Sequence, residues 1–452
     1  MTPQELNHTW SILQQIMDIS RSKGADATEV IYARGNGLSL KAEKGAIAES
    51  KISGSQTCGI RITKGDRVAT CYSESMDENA LEQMVSQAME NTAYVKDDPL
   101  QKIQDLGQIE LNNLSPKNFS QDDTSIEKKI ELSLALEQKI LDKGPEVKNA
   151  PYNGVSESEG HSFQANSFGL KAYSRSRSFS CYTSALIDSN GKQSMHYHSS
   201  IARKFSDLDP QSCIDKSYEV ASGLLHGSPI PTGSYDVIFE HDTLAEFLSL
   251  FSIIFSARSA MEGKNPFKDK INTAIAPKFL NLSDIPNYAD AYGESLFDSE
   301  GFLHRETSLI EEGVLKTFLH NSQTSRYFDT ANTFHASRTS RGTLGVGSTY
   351  KVYGPGPIPE QQLFDGEVFY VIDLQGTSSG SDPISGDFSF GASGFILVNG
   401  QKQRAVKGVT LSGNFYQILK TLQLAGDKIH PDTSRSIFLP KIRFEKIKIA
   451  GT

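Results

Sequence analysis

Cysteine is scarce in this chain of 452 residues. There are four, Cys58, Cys71, Cys181 and Cys213, none in a C-x-x-C pair and none in the second half. Such wide spacing argues against a disulfide framework and reads as buried or free thiols in a reducing compartment. Basic runs are missing as well. With a formal charge of −9 and a pI of about 5.7, an acidic chain without Lys/Arg clusters repels a phosphate backbone, which excludes direct nucleic-acid binding. The longest apolar run, Leu244 to Ala257, is interrupted by Glu246, Ser249 and Ser252 and is too short to span a bilayer. The first residues, MTPQELNHTW, show neither the basic n-region nor the apolar h-region of a signal peptide. A cytoplasmic protein with no membrane association is expected. A phosphate loop is also absent.

What is present points to an α+β protein with sizeable cores, 37% apolar and 22% charged. Periodicity predicts a helix over 4–22, with Leu6, Trp10, Leu13, Ile16 and Met17 on one face and Gly24 after it. Short alternating segments punctuated by glycine follow to residue 73 and read as an antiparallel meander. Helices are expected at about 78–93 and 125–142. Thr124 and Glu127 form a candidate capping box for the second, and Gly144 its stop. Strands resume over 152–204, and a helix covers about 210–225. The segment HGSPIPTGSYD, residues 226–236, carries two prolines and two glycines and marks a boundary. It divides the chain into an N-terminal sheet with packed helices, 1–227, and a β-rich C-terminal domain with a buried helix, 234–452. In the second part, YDVIF, GVLKTFLHN, EVFYVIDLQG, residues 386–414 and the final KIRFEKIKIAG read as strands, with a helix at 414–424.

The stretch IFEHDTLAEFLSLFSIIF, residues 238–255, carries the sharpest chemical question. A zinc-peptidase helix sets two histidines one turn apart, with an acid beside the first as general base. Here His241 is followed by Asp242, but Ala245 and Glu246 stand where the second histidine is wanted. Either His241, Asp242 and Glu246 form part of an atypical metal site, or the two acids complement the positive end of a helix dipole. Apolar residues run almost all round this helix, over 242–256, and predict its burial. His196 and His198 share one face of a strand and could share a metal; His304, His320 and His335 stand singly. A Gly/Ser-rich segment, 376–394, offers close backbone approach at Gly386 and Gly391. It is expected to border a peptide chamber by strand addition, with Phe388 and Phe390, two apart and so on one strand face, as floor and Ser389 between them. The alternative is a plain hairpin whose phenylalanines fill the core.

Several separate motifs, in order, resemble the TldD/PmbA family. They are FDSEGFLHRETSLIEEGVLKTFLHNSQTSRY at 297–327, ISGDFSFGASGFILVNGQKQRAVKGVTLSGNF at 384–415 and LPKIRFEKIKIAG at the end. GIRITKGDRVATCYS and ANSFGLKAYSRS in the first half agree. The family's TldD branch carries an HExxxH helix and a C-terminal cysteine that hold a metal and resembles a metallopeptidase acting on unfolded peptides. The PmbA branch, also called TldE, lacks those ligands and pairs with TldD. Family names also refer to modulation of DNA gyrase. EHDTLAEFL and the absence of cysteine after Cys213 place this chain with the PmbA branch. The resemblance implies no cofactor in this chain, zinc in a TldD-type partner, a heterodimer (or a homodimer) enclosing a cavity, and an unfolded peptide as substrate. Two other readings stay open: an independent hydrolase using His241, Asp242 and Glu246, and a non-catalytic module that binds a peptide or protein.

Overall fold

The computed structural model describes all 452 residues. In the first half the elements are α1 (Pro3–Ser22), β1 (Ala27–Glu43), β2 (Ala46–Lys64), β3 (Arg67–Ser73), α2 (Glu78–Asn91), β4 (Ile109–Asn113), α3 (Ile126–Leu141), β5 (Val147–Asn149), β6 (Gly154–Asn166), β7 (Leu170–Ser189), β8 (Lys192–Ala202) and α4 (Pro210–Leu224). The second half continues with β9 (Gly233–Phe239), α5 (His241–Leu250), α6 (Ala257–Met261), β10 (Leu282–Asp284), β11 (Thr307–Glu311), β12 (Val314–Leu315), α7 (Ser322–Tyr327), β13 (Ala336–Ser337), β14 (Gly345–Val346), β15 (Lys351–Tyr353), β16 (Glu367–Gln375), β17 (Asp387–Val398), β18 (Gln401–Asn414), α8 (Phe415–Thr421), β19 (Leu424–Pro431) and β20 (Ile437–Ala450). This is an α+β architecture built on two large sheets. No helix is long and apolar enough to cross a membrane.

Local chemistry explains the elements. Pro3 opens α1, and Thr2 and Glu5 close a reciprocal capping box around its first turn. The tight hairpins β7–β8 and β17–β18 turn at Asn190–Gly191 and Asn399–Gly400, all four residues with positive φ. That is the conformation a two-residue hairpin needs and Asn-Gly supplies at least cost. The first sheet runs β3-β2-β1-β6-β7-β4, with β5 and β8 also on β7. Leu13, Ile16, Leu81 and Val85 of α1 and α2 pack on Val30, Ile60, Ile62 and Phe163. Leu136 and Ile140 of α3 and Cys213 and Ile214 of α4 pack on Phe179, Cys181 and Ile187. In the second sheet β9 pairs with both β16 and β20, so β9, β16, β17, β18 and β20 close on themselves.

Two expectations need correction. The capping box expected from Thr124 and Glu127 does not form: Asp122 accepts the Thr124 N–H at 2.9 Å, and α3 starts one residue later with Ser125 at its cap. The helix expected over 242–256 stops at Leu250. A 3-10 turn (Ser252–Phe255) and the short α6 follow. Beyond it, backbone groups of residues 254–257 are held by other parts of the chain. Asn265 donates its side-chain amide to the Ile254 and Ser256 carbonyls, while Leu319 exchanges backbone bonds with Phe255 and Ala257.

Burial of this segment is nonetheless deep. Phe247 lies among Phe239, Phe251, Phe388, Phe390, Phe415 and Phe444, and Phe251 stacks on Phe415 at 4.5 Å. Glu246 remains on the exposed side of α5.

A buried ionic network ties the halves together. Glu29 of β1 accepts from Arg61 of β2 at 3.0 Å and, through its other oxygen, from Arg338 in the β13–β14 loop. All three side chains are almost completely shielded from solvent. The same loop presses the Ser340 carbonyl onto Gly59, where a Cβ would collide with it at 1.6 Å.

Two outcomes follow from this packing. Phe251→Ala removes a fully buried ring and is expected to cost about 3–5 kcal/mol; a denaturant midpoint equal to wild type would contradict it. Glu29→Gln leaves two buried guanidinium groups without their carboxylate and is expected to cost about 3–5 kcal/mol. The corresponding observation is early proteolysis at the junction of the halves, and wild-type resistance would count against it.

Candidate functional site

Strand β9 delivers the chain to the site. Paired on both sides, it ends at Phe239, and the Glu240 N–H donates to the Val371 carbonyl at 2.8 Å. Glu240 then caps α5, accepting from the Asp242 N–H at 2.8 Å. The N-terminal end of α5 therefore opens outward from the sheet, towards β8 and α4 of the first half. A cleft of about 570 Å³ lies between them. Glu240, Asp242, Thr243 and Glu246 line one wall, and His196, His198 and Lys216 the other. A contiguous recess of about 350 Å³ runs past His241 and His430. Polar contacts bridge the two walls: His196 Nδ1 stands 3.4 Å from Asp373, and Lys402 Nζ forms an ion pair with Glu219 at 2.7 Å.

The structure thus brings together two sets of residues that the sequence left apart, the β8 histidines and the start of α5. The three candidates on α5 diverge. Asp242 is taken by Thr433, whose N–H and hydroxyl each donate to it at 2.6 Å. Glu246, one turn on, accepts from Thr377 at 2.8 Å. Ala245 points into the core. His241 instead meets residues that the sequence reading had not singled out. Its ring lies 4.4 Å from that of His430, and Lys441 Nζ approaches its Nε2 at 3.3 Å. Glu360 accepts from His430 Nε2 at 2.6 Å and stands 3.8 Å from Lys441 Nζ. One signal could have pointed there: Lys441 interrupts an apolar stretch, IFLPKI, whose Phe438, Leu439, Pro440 and Ile442 are buried.

Burial governs the electrostatics. It pushes the His241 imidazole down to about 3, with Lys441 and His430 adding to the effect. His198 is pushed down to about 4 by burial and then by Lys216. The Glu240 carboxyl is raised by burial and by Asp242, and the Lys441 ammonium is lowered by burial, partly offset by Glu360. Both histidines are held neutral in a cleft rich in carboxylates.

The Gly/Ser segment occupies a different place from the one expected. None of Gly386, Phe388, Ser389 and Gly391 lines the cleft. Phe388 and Phe390 stack at 5.4 Å on the core side, against Phe247. β17 is paired on both sides at Gly391, with Gln375 and Thr410, and the Ser389 N–H donates to the Gly380 carbonyl at 2.7 Å. Backbone groups so occupied leave no strand edge for a peptide to join. Only Thr377, near the start of the segment, reaches the rim, through Glu246. Of the other single histidines, His335 is buried with Asp284 at 3.0 Å, and His304 and His320 lie in the same region.

Comparison with known proteins decides the kinship. Three family models match in order: PmbA/TldA metallopeptidase domain 1 over residues 28–92, the central domain over 119–225 and the C-terminal domain over 232–451. The chain belongs to the PmbA/TldD family. A metalloprotease PmbA homolog of Haemophilus influenzae is 24% identical over 96% of this chain and 94% of its own length. Metalloprotease PmbA of Escherichia coli O157:H7 is 24% identical over 94% and 93%. Among solved structures, a candidate modulator of a DNA gyrase from Thermotoga maritima superposes with TM-score 0.85 at 21% identity, covering 98% of this chain and all of that one. TldE from Thermococcus kodakarensis does so with TM-score 0.81 at 18% identity, over 97% and 100%.

Kinship with metallopeptidases raises the question whether these residues fit a metal. As they stand they do not. No three His, Cys, Asp or Glu side chains gather around one point, and the space beside His241 holds the Lys441 ammonium. The cleft in this PmbA/TldD chain offers shape, hydrogen-bonding groups and neutral imidazoles.

Keeping His198 neutral has a price in acid. With its native value lowered to about 4 from 6.5, the unfolded chain binds a proton that the native chain refuses between those values. Its contribution to stability is therefore lost as pH falls from 6.5 towards 4. Raised carboxyls such as Glu240 and Asp298 act in the opposite sense, so the measurement is a difference. Relative to His198→Gln, the wild type is expected to lose unfolding free energy steadily over that window. Parallel pH profiles for the two proteins would contradict this.

Proposed function

We propose that this chain is the metal-free, TldE/PmbA-type subunit of a two-chain cytoplasmic peptidase. It shapes the chamber and holds unfolded peptide, while a TldD-type partner supplies zinc and the chemistry. The observation that carries this reading is the start of α5. It faces a cleft of peptide-binding size, yet its one histidine is engaged by Lys441. Neutral His198 and His241 can exchange hydrogen bonds with peptide amides, and the carboxylates around them favour cationic side chains. In this reading residues 1–227 and 234–452 act as the two units whose junction is the cleft. The Gly/Ser segment keeps an outer role: Ser389 and the half-buried Gly391 are the positions a peptide can still touch, Gly386 and Phe388 being buried.

Co-expression with the TldD-type chain of the same organism tests the proposal. The two chains are expected to co-purify and to cleave an unfolded peptide only together, with the zinc lost on mutating the partner alone. Cleavage by this chain at the rate of the pair would replace the reading with an independent hydrolase. Absence of association would replace it with a binding module.

A further inference from the structure

Six carboxylates line the cleft, and their partners set them apart. Lys402 pairs with Glu219, and His196 stands beside Asp373. Thr433 donates to Asp242 from its N–H and its hydroxyl, and the N–H groups of Ser434, Ser436 and Ile437 donate to Asp432. Glu246 accepts from Thr377 at the rim. Glu240 is the sixth. One of its oxygens caps α5 through the Asp242 N–H, and neither takes a hydrogen bond from a side chain. Lys216, across the cleft, and Lys441, committed to Glu360, both lie beyond ion-pair distance of it.

We propose that Glu240 is the specificity-determining residue of this cleft, receiving the lysine or arginine side chain of a bound peptide. The inference rests on the reading that the cleft holds unfolded peptide, and it deepens that reading by naming the side chain that is selected. Three arguments support it. First, Glu240 has an oxygen to spare where the other interior carboxylates are spent on the protein itself, and a ligand cation satisfies it with a charge-assisted hydrogen bond. Second, the wall around it suits the rest of such a side chain. Val220, Ile372 and Phe395 line the same cleft and offer apolar surface to a methylene stem. Tyr370 lines it too, close enough for its hydroxyl to feel the Glu240 charge, and its ring favours a cationic head. Third, burial and the neighbouring Asp242 raise the Glu240 carboxyl, which marks a carboxylate short of positive charge; a ligand cation beside it acts in the opposite sense.

The test uses two short, unstructured fluorescent peptides of one sequence. One carries a central lysine and the other norleucine, which keeps the stem and loses the charge. Anisotropy titrations compare the isolated wild type with Glu240→Gln, which can still cap α5 through its amide oxygen, and with Glu246→Gln. The wild type is expected to favour the lysine peptide at least about tenfold, and Glu240→Gln to lose that preference while binding the norleucine peptide as before. Equal affinity of the wild type for both peptides overturns the proposal. So does a preference that survives in Glu240→Gln, or one lost in Glu246→Gln alone. If Glu240→Gln does not fold, Glu240→Ser, which caps a helix without charge, takes its place under the same criteria. Spermidine competing as well as the lysine peptide overturns the assignment to a peptide side chain. Absence of binding to either peptide, by the isolated chain and by the co-expressed pair alike, overturns it outright. Association with a TldD-type chain does not enter the anisotropy readout, so its failure removes the two-chain reading and leaves this one to stand or fall separately.

Discussion

One carboxylate holds the geometry of this molecule. Glu29 is shared between Arg61 of its own sheet and Arg338 from the second half, out of contact with water. Buried ion pairs of this kind contribute little net stability relative to an apolar core, but they are costly to break once formed. Their value lies in definition: a bidentate, fully desolvated carboxylate tolerates one arrangement of its partners. With Ser340 against Gly59, it fixes how the two sheets face each other. The cleft exists because β8 and α4 are held opposite α5 at that angle, and the cross-cleft pairs of Glu219 with Lys402 and His196 with Asp373 follow from it.

Within that frame, the site is governed by charge kept out of water. His198 and His241 are neutral because burial makes their protonation expensive. The one buried cation among them, Lys441, is matched to Glu360. A recess so balanced offers hydrogen bonds and shape rather than net charge.

Much of the fold was legible in the sequence, because its signals are local. Leu13, Ile16 and Met17 announce α1 by their spacing, and the glycine-punctuated alternation up to residue 73 announces β1, β2 and β3. The end of α5 was not legible. Past that end, Asn265 and Leu319 take over backbone groups of residues 254–257, contacts that no local pattern announces. The site divides the same way. His241 and His196/His198 stood out by residue type, but the partners of His241 come from residues 360, 430 and 441, and nothing local in the sequence joins them. Phe388 and Phe390 show the opposite failure. A period of two correctly put them on one face, but could not say that this face was the core and not the chamber.

The position of β20 in its sheet has a consequence for synthesis. This strand, the last of its sheet in chain order, pairs with β9, β15, β18 and β19, and it carries Lys441. The first sheet uses residues up to 202 and can fold while translation proceeds, domain by domain. The second cannot close until its final strand arrives, so β9 and the aromatic cluster around α5 wait, exposed, through about two hundred further residues of elongation. Chaperone demand during biogenesis should therefore concentrate on the second half, and chains released early should be cleared as unfolded rather than persist as partly active fragments.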